Sequence, residues 1–154
     1  MADRTLSCFD VANYFLAQQS EDAGDLISNL KLQKLVYYAQ GCHLALFNAP
    51  LFQEPLEAWL HGPVVPELYH LYKQYGAGAI PLPVGMDFSV FSAETQELLD
   101  EVYSVYGQFS AWKLREMTHN EPPWKDAAPD QGTISQASMR KFFRTLVHPD
   151  GTDA

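Results

Sequence analysis

Apolar positions recur at steps of three and four through much of the chain, and that spacing predicts helices. The clearest run goes from about Leu30 to Phe47, where Leu32, Leu35, Val36, Ala39, Cys42 and Leu46 form one stripe. Tyr37, Tyr38 and Leu44 widen it, so more than one side of this helix packs and it is the expected central element. Ser28 or Asn29 caps its start, and Asn48-Ala49-Pro50 ends it because proline cannot continue a helix. An earlier helix, from about Cys8 to Gln19, carries Cys8, Val11, Ala12, Phe15 and Leu16 on one face behind Ser7 as cap. Ser20 to Asp25 reads as a polar turn.

The period then changes. Leu51 to Leu60 reads as extended, and Leu56-Glu57-Ala58-Trp59-Leu60 alternates imperfectly, as a short strand or hairpin arm would. His61-Gly62-Pro63 breaks it sharply. A third helix follows from about Pro66 to Tyr75, with proline in its first turn and Gly76 as its stop. Gly76 to Phe91 is a glycine- and proline-rich loop with room for another short extended piece. Ser92 caps a fourth helix, Ala93 to Tyr106, whose Glu94 and Glu97 suit the positive end of the helix dipole. Ser110 caps a fifth, Ala111 to Thr118, and Glu121 to Asp126 is a rigid, proline-stiffened connection. Ser135 caps a sixth, Gln136 to Val147, and the last seven residues fray. The expected architecture is mainly α: a single compact domain over residues 1–154, core about 7–147, with about six helices and a small β-hairpin or short strands.

Composition agrees with one self-sufficient domain. The 154 residues are 47% hydrophobic and 13% aromatic, and a chain of this length buries roughly two-thirds of its unfolded surface without a metal or disulfide. Charge narrows the partners. Ten basic against 19 acidic residues give −9, which repels phosphate backbones and attracts basic proteins. Nucleic acid is therefore disfavoured. No apolar run approaches the ~20 residues of a membrane span and no signal segment opens the chain, so a cytoplasmic protein is expected.

The sequence carries no coherent catalytic pattern. Cys42 and His43 are adjacent on a helix and point about a quarter-turn apart, which makes them poor nucleophile and base. Cys8 and Cys42 fall on apolar faces and read as buried thiols. The histidines His43, His61, His70, His119 and His148 lack helical zinc spacing, so no metal or other cofactor is implied. Gly76-Ala77-Gly78 follows a helix rather than a strand and lacks the lysine of a phosphate loop. Arg140, Lys141 and Arg144 share the last helix as a basic cluster, and Lys31 and Lys34 flank the start of helix two.

Three islands, taken in order, resemble the SocA-like Panacea antitoxin family, which also includes phage-associated proteins. The first is Leu30-Lys31-Leu32-Gln33-Lys34-Leu35-Val36-Tyr37-Tyr38-Ala39-Gln40-Gly41. The second is Leu51-Phe52 followed by Glu57-Ala58-Trp59-Leu60-His61-Gly62-Pro63-Val64-Val65-Pro66-Glu67-Leu68-Tyr69. The third is Leu114-Arg115-Glu116-Met117-Thr118-His119-Asn120-Glu121-Pro122-Pro123-Trp124-Lys125, then Ile134-Ser135 and Phe142-Phe143. The resemblance implies a compact, mostly helical module that neutralises a partner toxin by direct protein–protein contact, in a type II toxin–antitoxin or phage-associated setting. It implies no catalytic residues. The expected partner is a cognate toxin, a basic one if charge steers it, with a protease as further partner if the toxin is delivered for degradation instead of masked. With about ten residues before the first helix, a separate DNA-binding domain is not expected.

Within the islands, Lys31, Gln33 and Lys34 are expected on the exposed side of the core helix. Tyr37, Trp59, Tyr69 and Trp124, with Tyr72 and Trp112 just outside the islands, are aromatic anchor candidates, weighed against a core role. His61-Gly62-Pro63 sets a turn, and His119 precedes a stiff diproline. With Arg140, Lys141 and Arg144 these are the candidate partner-binding residues. The alternative is a small enzyme or ligand-binding protein built around His61, His119 and nearby acids. It requires a deep pocket where those side chains converge.

Overall fold

A computed structural model describes residues 6–19 and 26–147. The expected turn at Ser20 to Asp25, the fraying of residues 148–154 and His148 lie outside the described residues. Helix α1 (Cys8–Leu16) opens on a reciprocal cap. The Ser7 hydroxyl accepts the Asp10 N–H, and the Asp10 carboxylate accepts the Ser7 N–H. The helix stops before Gln19 because that side chain turns inward. Its amide donates to the carbonyls of Leu16 and Ile80 and accepts the Ile27 N–H at 2.6 Å.

Helix α2 (Asn29–Phe47) starts on the Ser28 cap and ends at Asn48 in the left-handed region, φ 57°. It is the axis of the fold, touching α1, α3, α4, α5, α7 and β2, whose ranges follow. Residues 31–41 are all buried, so there is no exposed side to this stretch. The expectation that Lys31, Gln33 and Lys34 face solvent is therefore corrected. Neighbours enclose the helix all round, and each polar side chain reaches a backbone group instead. Leu46, in the last turn, leaves the stripe and is exposed.

A three-stranded antiparallel sheet has the order β2-β1-β3, from β1 (Leu56–Trp59), β2 (Gly62–Val64) and β3 (Thr133–Ile134). Trp59 pairs with Gly62 across the hairpin, and Leu56 pairs with Ile134 on the other side. The remaining helices are α3 (Pro66–Tyr72), running into a 3-10 turn at Lys73–Tyr75, then α4 (Ala93–Tyr106), α5 (Ala111–His119), α6 (Pro122–Ala127) and α7 (Gln136–Val147). The loop before α4 supplies its short extended piece as a bridge between Ser28 and Ala79. Where a rigid connection was expected, α6 is a helix, because Pro122 and Pro123 fall in a first turn whose N–H groups need no helical partner. The described residues thus hold seven helices rather than six.

Helix α7 crosses α2 at Gly41, where the Phe143 ring fills the space a side chain would need. Around that crossing Tyr38 stacks flat on Tyr106 at 3.8 Å, and Tyr37 meets Phe143 edge-on at 5.4 Å. Among the described residues no helix is long and apolar enough to cross a membrane.

Candidate functional site

The turn at His61-Gly62-Pro63 lies directly on the middle of α2. Gly62 has φ +114°, and a Cβ there would sit 2.5 Å from Lys34 Cε and 2.9 Å from Thr118 Oγ1. Only glycine combines this backbone angle with so close an approach. Beneath it Lys34 is fully buried (0% exposed). Its ammonium makes one hydrogen bond among the described residues, to the Pro63 carbonyl at 3.5 Å. Burial first, and the Arg115 charge second, pull its pKa down to about 7.

Helix α5 supplies the adjoining wall. Trp112, Arg115 and His119 follow one another at steps of three and four and so share a face. Arg115 Nε donates to His61 Nδ1 at 3.0 Å, and the guanidinium carbon lies 4.5 Å from the centre of the Trp112 ring. Trp112 is 56% exposed, and Leu60 at the hairpin tip 69%. His119 stacks on Trp124 at 3.9 Å and 8°. Its Nε2 is buried without a hydrogen-bond partner among the described residues. Burial, then Arg115, hold the imidazole below its usual pKa against the opposing backbone hydrogen bond at Leu60, and Lys34 and His61 push it down as well. Trp124 Nε1 donates to the Trp59 carbonyl at 2.8 Å, tying α6 to the hairpin. The Trp59 ring meets Tyr69 edge-on at 5.1 Å. Lys113, Arg115, Glu116, Met117, His119 and Asn120 line an open depression of about 460 Å³.

The structure therefore brings Lys34, Trp59, His61, Gly62, Pro63, Tyr69, Trp112, His119 and Trp124 together and places the other candidates elsewhere. Tyr37 is a core residue. Its hydroxyl, with that of Tyr38, donates to the buried carboxylate of Glu121 at 2.9 and 2.8 Å. Burial raises Glu121 to about 7, against the pull of those two hydrogen bonds. Lys31 Nζ donates to the Gly107 carbonyl at 2.6 Å, at the end of α4. Gln33 accepts the Val65 N–H at 2.9 Å and donates to Asn29. Arg140, Lys141 and Arg144 sit on α7, with no hydrogen bond or ring contact to the hairpin among the described residues.

Sequence reasoning left Arg115, Thr118 and Glu121 out of the site. For Arg115 the signal was present, since it stands three residues after Trp112 and four before His119. The buried grip on Glu121 had no local signature, because its partners lie 83 and 84 residues away. A separate cluster, Cys8 Sγ with the carboxylates of Glu54 and Glu67, falls within 4.8 Å and has a donor set that could hold a metal ion. Glu54 already accepts the Cys8 N–H at 3.0 Å. Burial, then Glu54 and Glu67, push the Cys8 thiol up to about 12, and burial, then Glu121, does the same to Cys42. Neither is an activated thiolate.

The model of the family described as "Antitoxin SocA-like, Panacea domain" matches residues 32–125, which takes in the central helix, the hairpin and α5 through the start of α6. Antitoxin SocA of Caulobacter vibrioides is 32% identical over 125 residues, covering 74% of this chain and 66% of that protein. The chain thus spans just under two-thirds of that relative's length. No solved structure matches. By the family match and the identity together, this chain belongs to the SocA-like Panacea antitoxin family.

Proposed function

We propose that the protein neutralises a cognate toxin by direct contact through the face formed by the hairpin tip and α5. The observation that carries this reading is Trp112, more than half exposed, with Arg115 stacked on it and Leu60 beside the same turn. Tryptophan and arginine are the residues that most often carry the energy of a protein interface, and here they are already held in place before any partner arrives. A stable complex on this face would bury ~1,200–2,000 Å² in total. The −9 charge of the chain favours a basic toxin and speeds its encounter, while it repels nucleic acid. This setting fits a type II or phage-associated system in the cytoplasm.

Binding ranks ahead of catalysis for a physical reason. Both thiols are held protonated. His61 and His119 face cations, with no carboxylate among the described residues to orient either as a base. The depression beside them is open rather than a deep pocket.

The test is co-expression of the neighbouring gene, alone and with this protein, scoring growth and co-purification. Relief of toxicity with a co-purifying complex supports the reading. Trp112→Ala and Arg115→Ala should each weaken the complex at least tenfold, which is about 1.4 kcal/mol, with little change in melting temperature. Full rescue by the double variant would refute this face. Masking leaves the toxin present but silent, whereas delivery to a protease makes it disappear, so toxin levels separate the two routes.

A further inference from the structure

Four cationic or protonatable side chains from three elements converge under and beside the Gly62 turn: Lys34 from α2, His61 from the hairpin, and Arg115 and His119 from α5. Each is placed by something other than an anion. Arg115 is oriented by His61 and Trp112, His119 by its stack on Trp124 and a backbone hydrogen bond at Leu60, and Lys34 by enclosure under the turn. None has a carboxylate partner within ion-pair distance among the described residues, although acids outnumber bases 19 to 10 in the chain. Glu116 lines the same depression and forms no pair with Arg115. The guanidinium spends Nε on His61, which leaves its two terminal nitrogens to form a fork. Buried charge and buried donors are costly when unpaired. Among the described residues His119 Nε2 has no partner, and the buried Lys34 ammonium has one long bond, to the Pro63 carbonyl.

We infer that this cluster is the receptor for one acidic side chain of the partner protein, with the Arg115 fork and the His61 imidazole receiving the carboxylate and His119 and Lys34 lying behind them as protonatable groups. The inference rests on the binding face proposed above and deepens it. A planar carboxylate matches the guanidinium fork. A polyanion such as nucleic acid would meet the −9 field of the whole chain, whereas a single carboxylate on a neutral or basic partner meets only the local positive charge. The toxin expected here thus combines a basic surface with one acidic residue that enters this site.

The probe is N-acetyl-glutamate α-amide, which carries one side-chain carboxylate, with N-acetyl-glutamine amide and inorganic phosphate as comparisons. Imidazole resonances of His61 and His119 report on the site in the intact protein. The other titratable groups facing it are Lys34, Lys113, Arg115 and Glu116. The glutamate probe should raise the His119 titration midpoint by about one pH unit. The glutamine analogue should leave it unmoved. Arg115→Gln, an exposed-side change, should abolish the response, and Lys34→Met should weaken it severalfold. An unmoved midpoint, a response that survives Arg115→Gln, or phosphate binding tenfold tighter than the carboxylate would each overturn the assignment. Co-purification with a toxin is scored independently, so loss of this inference leaves the neutralisation reading standing.

Discussion

Replacing Lys34 with methionine should stabilise the fold, and the gain should depend on pH in a defined direction. Lys34 is fully buried with a single 3.5 Å hydrogen bond, and its pKa falls from 10.5 to about 7. Between those two values the unfolded chain holds a proton that the folded chain has released, so the wild type gains stability as pH rises across that window. Below about pH 7 both states are protonated and the full cost of burying the ammonium is present. A drop of that size corresponds to about 5 kcal/mol. Local relaxation, water entry and the lost bond to the Pro63 carbonyl bring the net gain from methionine to about 1–4 kcal/mol. Urea denaturation of both proteins at pH 6, 8 and 10 measures it. The variant should be more stable at pH 6, with the difference shrinking towards pH 10. Groups that titrate alike in both proteins cancel from the comparison. A variant less stable by more than about 1 kcal/mol at pH 6, or a difference that ignores pH, would mean the ammonium is well compensated. The same variant should bind the proposed partner less well, because it removes a protonatable group from beneath the proposed carboxylate site.

Leu35 is fully buried in α2, and Leu35→Ala should cost about 2–5 kcal/mol in denaturant melts, where a cost below about 1 would remove α2 from the centre of the fold. Gly41→Ala drives a methyl group into the Phe143 ring and should cost about 1–3 kcal/mol, with part of it recovered in a Phe143→Leu background. No recovery would place the strain elsewhere. Glu121 is raised from 4.5 to about 7, so between those values the folded chain holds a proton that the unfolded chain lacks, and stability falls as pH rises. Thermal melts from pH 4.5 to 7 should show a flatter dependence for Glu121→Gln, and identical slopes would refute the assignment.

Local chemistry was readable wherever it was self-contained. The caps at Ser7, Ser28, Ser92 and Ser110 each bond as their sequence predicts, and α4 runs from Ala93 to Tyr106 as the pattern said. Helix α6 was missed because two prolines read as a breaker unless they are known to stand in a first turn. Strand β3 was missed because two residues are too few for any alternation, and its existence depends on pairing with Leu56 and Glu57. The largest error, solvent-facing lysines on α2, has the same origin. Lys31 and Lys34 look like an ordinary polar face until the C-terminus of α4 and the hairpin are seen to close over them. Periodicity reports which side of a helix must be buried, and it is silent when every side is. The candidate face follows suit: its aromatic members stand out one by one in the sequence, but their meeting depends on a turn that only the tertiary fold brings onto α2.

The polar side chains of α2 have a further consequence for how such a protein can change. Asn29 donates to the Tyr69 carbonyl, Lys31 to that of Gly107, Gln40 to that of Phe52, while Gln33 and Gln40 accept the N–H groups of Val65 and Leu51. Every one of these bonds ends on the main chain of the contacted segment, and a main-chain group is the same whichever residue carries it. The outer segments are thus held in register by one helix without being committed to particular side chains of their own. Substitutions in the outward-facing hairpin tip and along α5 can alter the chemistry of the proposed binding surface while the frame that presents it stays in place. A single scaffold of this kind can be re-aimed at new partners one surface residue at a time, with the cost of change confined to the face and the central helix left untouched.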